Sequence, residues 1–209
     1  MTAAAPDLAA AVRARLPLRT TPGVPELRLH LAAPGSGLRE LAEAFGGGAP
    51  YWAFAWGGGV ALARRLLDRP GEVAGRSVVD LGADSGLAAL AAARAGAARV
   101  LAVDVDPLAA AAVALNAEAN GLAVAFEAAD LLDGPAPAAD LLLAGDVFYD
   151  GALAARVAPF LDRAAAAGCE VWVGDPGRGD LPLHRLERLA AYDLPDMGGG
   201  SGCAAYRWR

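Results

Sequence analysis

The 209-residue sequence contains no lysine and no isoleucine, and it has only two cysteines, Cys169 and Cys203. Without lysine the chain cannot form a Gly-Lys-Ser/Thr phosphate-binding loop, so nucleotide-binding proteins of the Walker type are excluded. Two cysteines are too few for a disulfide framework, and their spacing is not that of metal ligands. We therefore expect no metal site, no catalytic thiol and a reducing compartment.

The charge of the chain also limits its partners. The formal net charge is −6 and the arginines are scattered, so no basic surface for a nucleic-acid backbone is expected. The longest uncharged stretch, residues 44–63, contains six glycines and Pro50 and is a poor candidate for a membrane-spanning helix. The N-terminal residues lack the apolar core of a secretory signal. These features predict a cytoplasmic protein without membrane or nucleic-acid partners.

Short apolar segments alternate with alanine-rich segments over most of the chain. Strands are predicted at residues 78–81, 100–103, 123–126, 140–144 and 170–173, and helices at 58–68, 86–95, 107–120 and 152–166. This alternation is typical of a parallel sheet with helices on both faces. Two late segments, 192–194 and 204–208, flank a loop of three glycines and predict a terminal antiparallel pair, with 204–208 as an edge strand. The predicted fold is a Rossmann-like, doubly wound α/β domain with a seven-stranded sheet.

Residues 1–50 do not follow this pattern and predict an N-terminal extension to the main domain, which spans residues 51–209. A helix is expected over 7–16, and the alternation of apolar and charged residues over 26–31 predicts a half-exposed strand. Ser36 is expected to cap a second helix, which a glycine-rich segment then ends. The extension is a candidate for substrate recognition.

Four aromatic residues stand within six positions at the start of the main domain. They are Tyr51, Trp52, Phe54 and Trp56. One interpretation is an aromatic plug over the end of the core. The other is a flap that covers an adenine ring or a substrate chain.

The most informative segment is residues 78–87, in which an apolar strand ends at Asp80 and continues into a glycine turn through Gly82 and Gly86. Glycine has no Cβ, so a ligand can approach this backbone closely, and the next helix points its free N–H groups at the same place. The glycines do not keep the G-x-G-x-x-G spacing of nicotinamide-binding proteins. The spacing instead favours an adenosine cofactor that carries an amino-acid tail.

An aspartate follows each of the five predicted parallel strands. These residues are Asp80, Asp104, Asp130, Asp146 and Asp175. Any one of them could be a helix cap or a turn residue, but ligands of open parallel sheets bind at the carboxyl ends of the strands. In this position Asp104 can accept both hydroxyls of a ribose, and Asp130 can accept from an exocyclic adenine amine. Asp80 can support the glycine turn or a ligand ammonium group.

Three segments, residues 79–87, 102–107 and 116–121, resemble class I S-adenosylmethionine-dependent methyltransferases. Within this class, Pro-Tyr-Trp-Ala-Phe-Ala-Trp, Gly-Asp-Val-Phe-Tyr and Gly-Asp-Pro-Gly-Arg, which begin at residues 50, 145 and 174, resemble the protein-lysine methyltransferases that modify the β subunit of electron transfer flavoprotein. The resemblance covers the chain from residue 50 onward. It implies S-adenosylmethionine as cofactor and a protein substrate such as that β subunit.

The resemblance also implies roles for individual residues. The implied cofactor-binding residues are Trp56, Asp80, Gly82, Gly86, Asp104, Asp130 and Gly145. Asp146 and Tyr149 match the family's Asp-x-x-Tyr beside the transferred methyl group and are the implied catalytic residues. On the substrate side the implied residues are Trp52, Asp175 and Arg178, of which the last two belong to a segment that is alternatively a structural turn.

The chain departs from the family pattern at Asp84, where the family has glycine. A side chain there is expected to crowd the cofactor and weaken its binding without abolishing it, since aspartate tolerates a positive φ. Gly57 stands where the family usually has proline, which should only loosen the loop. Two alternatives to a protein-lysine methyltransferase stay open: a methyltransferase of a ribosomal protein or a small amine, and a non-catalytic binding module with a degenerate cofactor site.

Overall fold

The computed structural model describes residues 7–46, 48–195 and 201–209. The helices are α1 (Leu8–Arg15), α2 (Leu38–Ala44), α3 (Gly57–Asp68), α4 (Leu87–Arg94), α5 (Ala109–Asn120) and α6 (Gly151–Ala166). The strands are β1 (Leu18–Thr21), β2 (Val24–His30), β3 (Ser77–Leu81), β4 (Arg99–Asp104), β5 (Ala125–Ala128), β6 (Leu141–Gly145), β7 (Glu170–Asp175), β8 (Leu186–Pro195) and β9 (Ser201–Trp208). The predicted loop of three glycines at 198–200 lies outside the described residues.

Seven strands form the main sheet, in the order β5-β4-β3-β6-β7-β9-β8. β3 to β7 run parallel, and β9 is antiparallel to both of its neighbours. The chain adds β4 and then β5 on one side of β3, and it adds β6 and then β7 on the other side. This confirms the predicted fold class, and it places a topological switch point between β3 and β6, where ligands of such sheets bind.

The prediction that residues 204–208 form an edge strand is wrong. β9 lies between β7 and β8, and β8 is the edge. The charged residue that suggested an edge, Arg207, is tolerated on an inner strand because acids on both neighbouring strands pair with it: its Nε lies 3.0 Å from Glu170 and its Nη1 3.7 Å from Glu187.

Helices cover both faces of the sheet. Alternate residues of β6 show the division: Leu141 and Leu143 pack in the core beneath α3 and α4, whereas Leu142 and Ala144 pack against α6. All four side chains are fully buried. Continuous apolar strands are what a parallel sheet covered on both sides requires. No helix among the described residues is long and apolar enough to cross a membrane.

Helix α3 begins in direct contact with the ends of β6 and β7. A Cβ at Gly58 would lie 2.2 Å from the carbonyl oxygen of Gly174, and a Cβ at Gly174 would lie 2.0 Å from the carbonyl oxygen of Gly58. Side chains are therefore excluded at both positions. The two glycines bring the N-terminus of α3 against the edge of the sheet where the candidate site lies.

The N-terminal segment packs on the main domain through α1, a β1–β2 hairpin and α2. The predicted first helix is confirmed, with Asp7 accepting hydrogen bonds from the backbone N–H groups of its first turn. The predicted cap of α2 is wrong. Gly37 occupies that position at a φ of 59°, and the Ser36 hydroxyl instead accepts from the backbone N–H of Ala33 at 2.9 Å, which closes the preceding turn. The division of the chain at residue 50 stays a prediction.

Candidate active site

A cavity of about 340 Å³ opens at the carboxyl ends of β3 to β6. Its volume is within the range of small-molecule sites. The predicted site residues that line it are Trp52, Trp56, Gly82, Asp104, Asp130, Gly145, Asp146, Tyr149 and Arg178. The remaining three do not: Asp80 lines a smaller adjoining cavity, Gly86 ends the glycine turn and faces α5, and Asp175 is fully buried.

The glycine turn contains three positive φ angles, 68° at Gly82, 48° at Asp84 and 79° at Gly86. Asp80, 2% exposed, accepts a hydrogen bond at 2.9 Å from the backbone N–H of Ala89 and so ties β3 to the first turn of α4. Burial raises the pKa of Asp80 to about 7, with a smaller contribution from Asp104. Gly86 packs against α5, where a Cβ would lie 3.1 Å from a methyl group of Val113. Asp80 thus supports the turn from behind, and Gly86 packs the end of the turn against α5.

Asp104 stands at the end of β4 and faces the cavity. One carboxylate oxygen accepts from the backbone N–H of Asp84 and the other from that of Asp106, both at 2.9 Å. Burial raises the pKa of Asp104 and these hydrogen bonds oppose the shift. The carboxylate is therefore fixed in orientation, and because it lines the cavity it can still accept from a diol.

Asp130 lies at the cavity wall beyond β5. Its side chain is 2.8 Å from Arg156 on α6 and accepts from the backbone N–H of Leu132 at 3.0 Å. The hydrogen bond from Arg156 holds the pKa of Asp130 below its usual value. The carboxylate is therefore an anion already engaged by two donors, and its predicted contact with an adenine amine stays a prediction.

Asp146 joins three parts of the site. Its Oδ2 accepts from the backbone N–H groups of Gly58 at 2.6 Å and Gly59 at 3.1 Å, at the positive end of α3. Its Oδ1 accepts from Arg178 at 2.7 Å. The side chain is 8% exposed and the backbone has a φ of 55°. Burial raises the pKa of Asp146, whereas the hydrogen bond from Arg178 lowers it.

Aromatic rings form one wall of the cavity. Tyr149, 53% exposed, lies 6.1 Å from Tyr51 between ring centroids, and Tyr51 lies 5.7 Å from Trp56. Burial is the main cause that raises the pKa of Tyr149, so its hydroxyl stays protonated at neutral pH. Trp52 is only 1% exposed and packs in a cluster with α1 and α5. The aromatic segment is thus both plug and wall, and Tyr51 is a wall residue that the predicted site omitted.

The segment after β7 forms a tight turn. Asp175 accepts from the backbone N–H groups of Gly177 at 2.6 Å and Arg178 at 2.7 Å, which supports the structural interpretation of this motif. The turn positions the Arg178 guanidinium against Asp146 at the cavity. Sequence reasoning also missed the apolar part of the lining, to which Val105, Leu132, Leu153 and Val157 contribute. Only Val105, which directly follows Asp104, could have been inferred from its position.

A second groove opens beside the aromatic wall. It lies between α2 and the aromatic segment, has a volume of about 490 Å³, and shares Ala49, Tyr51 and Trp56 with the main cavity. Its outer side carries Arg39 and Glu43 of α2. The N-terminal segment therefore borders a groove that adjoins the main cavity.

The residues present fit an adenosine cofactor with an amino-acid tail. Asp104 is oriented to accept a diol, the glycine turn leaves the backbone open beside it, and acids predominate over the one arginine that lines the cavity. Within the described ranges no group of histidine, cysteine or acidic residues is arranged to hold a metal ion. The arrangement provides an oriented binding site next to the aromatic wall.

In sequence, the chain is similar to known methyltransferases. The family model of ribosomal protein L11 methyltransferase (PrmA) matches residues 61–148. The electron transfer flavoprotein β subunit lysine methyltransferase of Xenopus laevis is 42% identical over 182 residues, which cover 84% of this chain and 74% of that protein. Its counterpart from Rattus norvegicus is 41% identical and covers 82% of this chain and 70% of that protein.

Solved structures share the fold at lower identity. A magnesium protoporphyrin IX methyltransferase from Synechocystis with bound S-adenosylmethionine has a TM-score of 0.53 at 18% identity, over 69% of this chain and 76% of that chain. A 16S rRNA methyltransferase of T. thermophilus has a TM-score of 0.54 at 24% identity, over 75% of this chain and 44% of that chain.

Proposed function

Because the chain belongs to the family of electron transfer flavoprotein β subunit lysine methyltransferases, we propose that it methylates lysine side chains of such a β subunit. The chain is an S-adenosylmethionine-dependent methyltransferase. The observation that carries the substrate proposal is the extent of the similarity, which covers 84% of the chain at 42% identity. It therefore extends beyond residues 61–148, which the ribosomal protein L11 methyltransferase model matches.

The bound cofactor supplies a methyl group attached to a cationic sulfur. A neutral amine can attack this methyl group in line, and the sulfur then leaves as a neutral thioether. Asp104 would hold the ribose and the glycine turn at Gly82 the methionine end, with Trp56 and Gly145 lining the cofactor. The main tasks of the protein are to orient the incoming amine and to let it lose a proton. Proximity and orientation of this kind can contribute several kcal/mol to the rate enhancement.

The aromatic wall assists the loss of that proton. A lysine amine has a pKa of about 10.4 in water, and an environment that desolvates the ammonium form lowers it. Tyr51, Tyr149 and Trp56 would form such an environment once a substrate side chain lay against their rings. The protonated Tyr149 hydroxyl can accept a hydrogen bond from the amine.

We assign Asp146 two tasks in the site. Its carboxylate fixes the start of α3 and the Arg178 guanidinium, as its hydrogen bonds show. Since it also lines the cavity, its negative charge favours an approaching ammonium group and orients it. Both oxygens already accept hydrogen bonds, so orientation rather than proton abstraction is the role that the geometry favours.

The experiment is transfer of labelled methyl groups from S-adenosylmethionine to purified electron transfer flavoprotein β subunit. We expect lysine methylation by the unaltered enzyme and at least about a hundredfold slower transfer by Asp146→Asn, which keeps an acceptor for α3 but loses the charge. Cofactor binding by Asp146→Asn, measured by calorimetry, should remain. Ribosomal protein L11 is the control substrate, and its methylation in place of the β subunit would contradict the proposal and support the alternative.

We further propose that the protein works in the cytoplasm without nucleic-acid or metal partners. The low cysteine content and the net charge of −6 support this location and this choice of partner.

A further inference from the structure

Asp84 occupies a position in the glycine turn that is unusual for a side chain. Its φ is 48°, and of the described residues only Asp84 and Asp146 combine a side chain with a positive φ. The Asp84 backbone N–H donates to Asp104 at 2.9 Å, which fixes the peptide. Its carboxylate, in contrast, accepts no hydrogen bond and forms no ion pair within the part of the chain that the structure describes.

The Asp84 side chain lies where two cavities meet. It lines both the main cavity and the smaller one beneath the glycine turn, together with Trp56, Gly82, Gly145 and Asp146. The main cavity contains Asp104, which is oriented for the ribose, and the smaller one is lined by Asp80 and the turn. A cofactor whose ribose was held by Asp104 and whose methionine end lay against the glycine turn would place its sulfur, which joins these two parts, near Asp84.

The surroundings of Asp84 are acidic. Its pKa is raised well above the usual value by burial and by the neighbouring carboxylates, which belong to β3, to the end of β4 and its following loop, and to the residue after β6. These carboxylates are Asp104, Asp146, Asp80 and Asp106. A carboxylate in such a place is destabilised as an anion until a positive charge comes close to it.

We propose that Asp84 is a specificity-determining residue that favours the cationic sulfur of S-adenosylmethionine over the neutral sulfur of the product, S-adenosylhomocysteine. The inference rests on the use of this cofactor and not on the identity of the methylated protein. After the methyl group has moved from sulfur to the amine nitrogen, the sulfur is uncharged and its attraction to Asp84 is lost. The side chain that replaces glycine thus promotes exchange of product for fresh cofactor.

An experiment can distinguish a contact of Asp84 with the sulfur from a contact with the ammonium group, which is the other positive charge of the cofactor. Substrate and product carry the same ammonium group on the amino-acid tail. A carboxylate that paired with the ammonium would tighten the binding of both and leave the ratio of their dissociation constants unchanged. Only a contact with the sulfur changes that ratio, so the ratio is the quantity to measure.

The test is calorimetric titration of the whole protein with S-adenosylmethionine and, separately, with S-adenosylhomocysteine. We expect the unaltered protein to bind the cofactor about tenfold more tightly than the product, as one partly screened charge pair can provide. Asp84→Asn has nearly the same shape and tolerates a positive φ, and it should lower the ratio several-fold, although the neighbouring carboxylates remain. Asp84→Gly should also do so, and because crowding is relieved it should bind both ligands at least as tightly as Asp84→Asn.

Asp133→Asn is the matched control. Asp133 carries an exposed carboxylate paired with Arg156 outside both cavities, so the same loss of charge there should leave the ratio unchanged. In the unaltered protein, but not in Asp84→Asn, the ratio should fall towards low pH as the carboxyl of Asp84 takes up a proton. If Asp84→Asn does not fold, the ratio of dissociation constants measured for Asp84→Gly serves as the test.

Two results would overturn the inference. A ratio in the Asp84 variants equal to that of the unaltered protein would show that Asp84 does not discriminate between the two sulfur states. A failure of the unaltered protein to bind either ligand would remove the cofactor site itself, and with it the premise. Binding of both ligands without methylation of the flavoprotein β subunit would contradict only the proposed substrate.

Discussion

The aspartates of this site occupy equivalent positions at the ends of strands, but they differ in their hydrogen-bond partners. Asp80 is turned towards a helix, Asp104 is held by two backbone donors, and Asp146 binds both a helix and an arginine. The same residue type at the same end of successive strands therefore stabilises a turn, orients a diol acceptor and fixes a charged pair. The function of each follows from the donors that the fold brings to it.

The buried Asp80 makes the stability of the protein depend on pH. Its pKa is about 7 in the folded protein, compared with 3.8 for an unperturbed aspartate, the value expected in the unfolded chain. Between these values the folded state binds more protons than the unfolded state, so the free energy of unfolding falls as the pH rises from about 4 to about 7. The contribution of this group is at most about 4 kcal/mol.

We expect Asp80→Asn, which keeps the acceptor for Ala89, to flatten this dependence. Urea unfolding at several pH values measures it, with the exposed Asp133→Asn as a control whose pH dependence should match that of the unaltered protein. An unchanged slope in Asp80→Asn would show that Asp80 does not retain its proton in the folded state.

At the scale of secondary-structure elements, the site depends on how closely α3 approaches the sheet. The N-terminus of α3 supplies the donors for Asp146, and this requires the contact between Gly58 and Gly174. Two neighbouring glycines of the same helix turn differ sharply here. A Cβ at Gly58 would collide with backbone atoms, whereas a Cβ at Gly59 would meet nothing within 4 Å.

We therefore predict opposite effects of two alanine substitutions. Gly58→Ala should lower the free energy of unfolding by about 2–4 kcal/mol, because the new methyl group displaces α3 from β7. Gly59→Ala should raise it by about 0.5–1 kcal/mol, since alanine is the better helix former. Denaturant unfolding of both variants measures the difference, and equal effects would contradict the close packing of α3.

At the scale of the whole molecule, one side chain links the N-terminal segment to the glycine turn. Asn116 on α5 is fully buried, accepts from the backbone N–H of His30 at 2.7 Å and donates to the carbonyl of Ser85 at 2.9 Å. Its neighbour Asn120 makes a similar pair of hydrogen bonds to Arg28 but none to the turn. Asn116 therefore attaches the hairpin and also supports the cofactor site, whereas Asn120 only attaches the hairpin.

We predict that Asn116→Ala lowers the free energy of unfolding by about 1–3 kcal/mol and weakens S-adenosylmethionine binding several-fold, because it leaves buried backbone groups without partners on both sides. Asn120→Ala should destabilise the protein by a smaller amount and leave the cofactor affinity unchanged. Calorimetric titration and urea unfolding measure the two effects. Equal cofactor affinities in both variants would show that the turn does not depend on the N-terminal segment.

The sequence by itself determined the order of elements, the parallel sheet and the edge at which the acids lie. These depend on hydrophobic periodicity and on glycine and proline signals, which act over a few residues. Short or half-exposed elements gave weaker signals: β1 was not predicted, and β5 lies two residues later than expected. Ser36 shows the same limit, because a hydroxyl near a helix start can close a turn as readily as cap the helix.

Only the tertiary structure decided what each site residue contacts. Asp146 meets donors that lie 88 and 32 positions away, and Asp130 meets an arginine 26 positions away, so no local pattern records these partners. The burial of Trp52 and the exposure of Tyr149 likewise depend on elements that are distant in sequence. The chemistry of a carboxylate is set by its donors and its solvent access, and both exist only once the chain has folded.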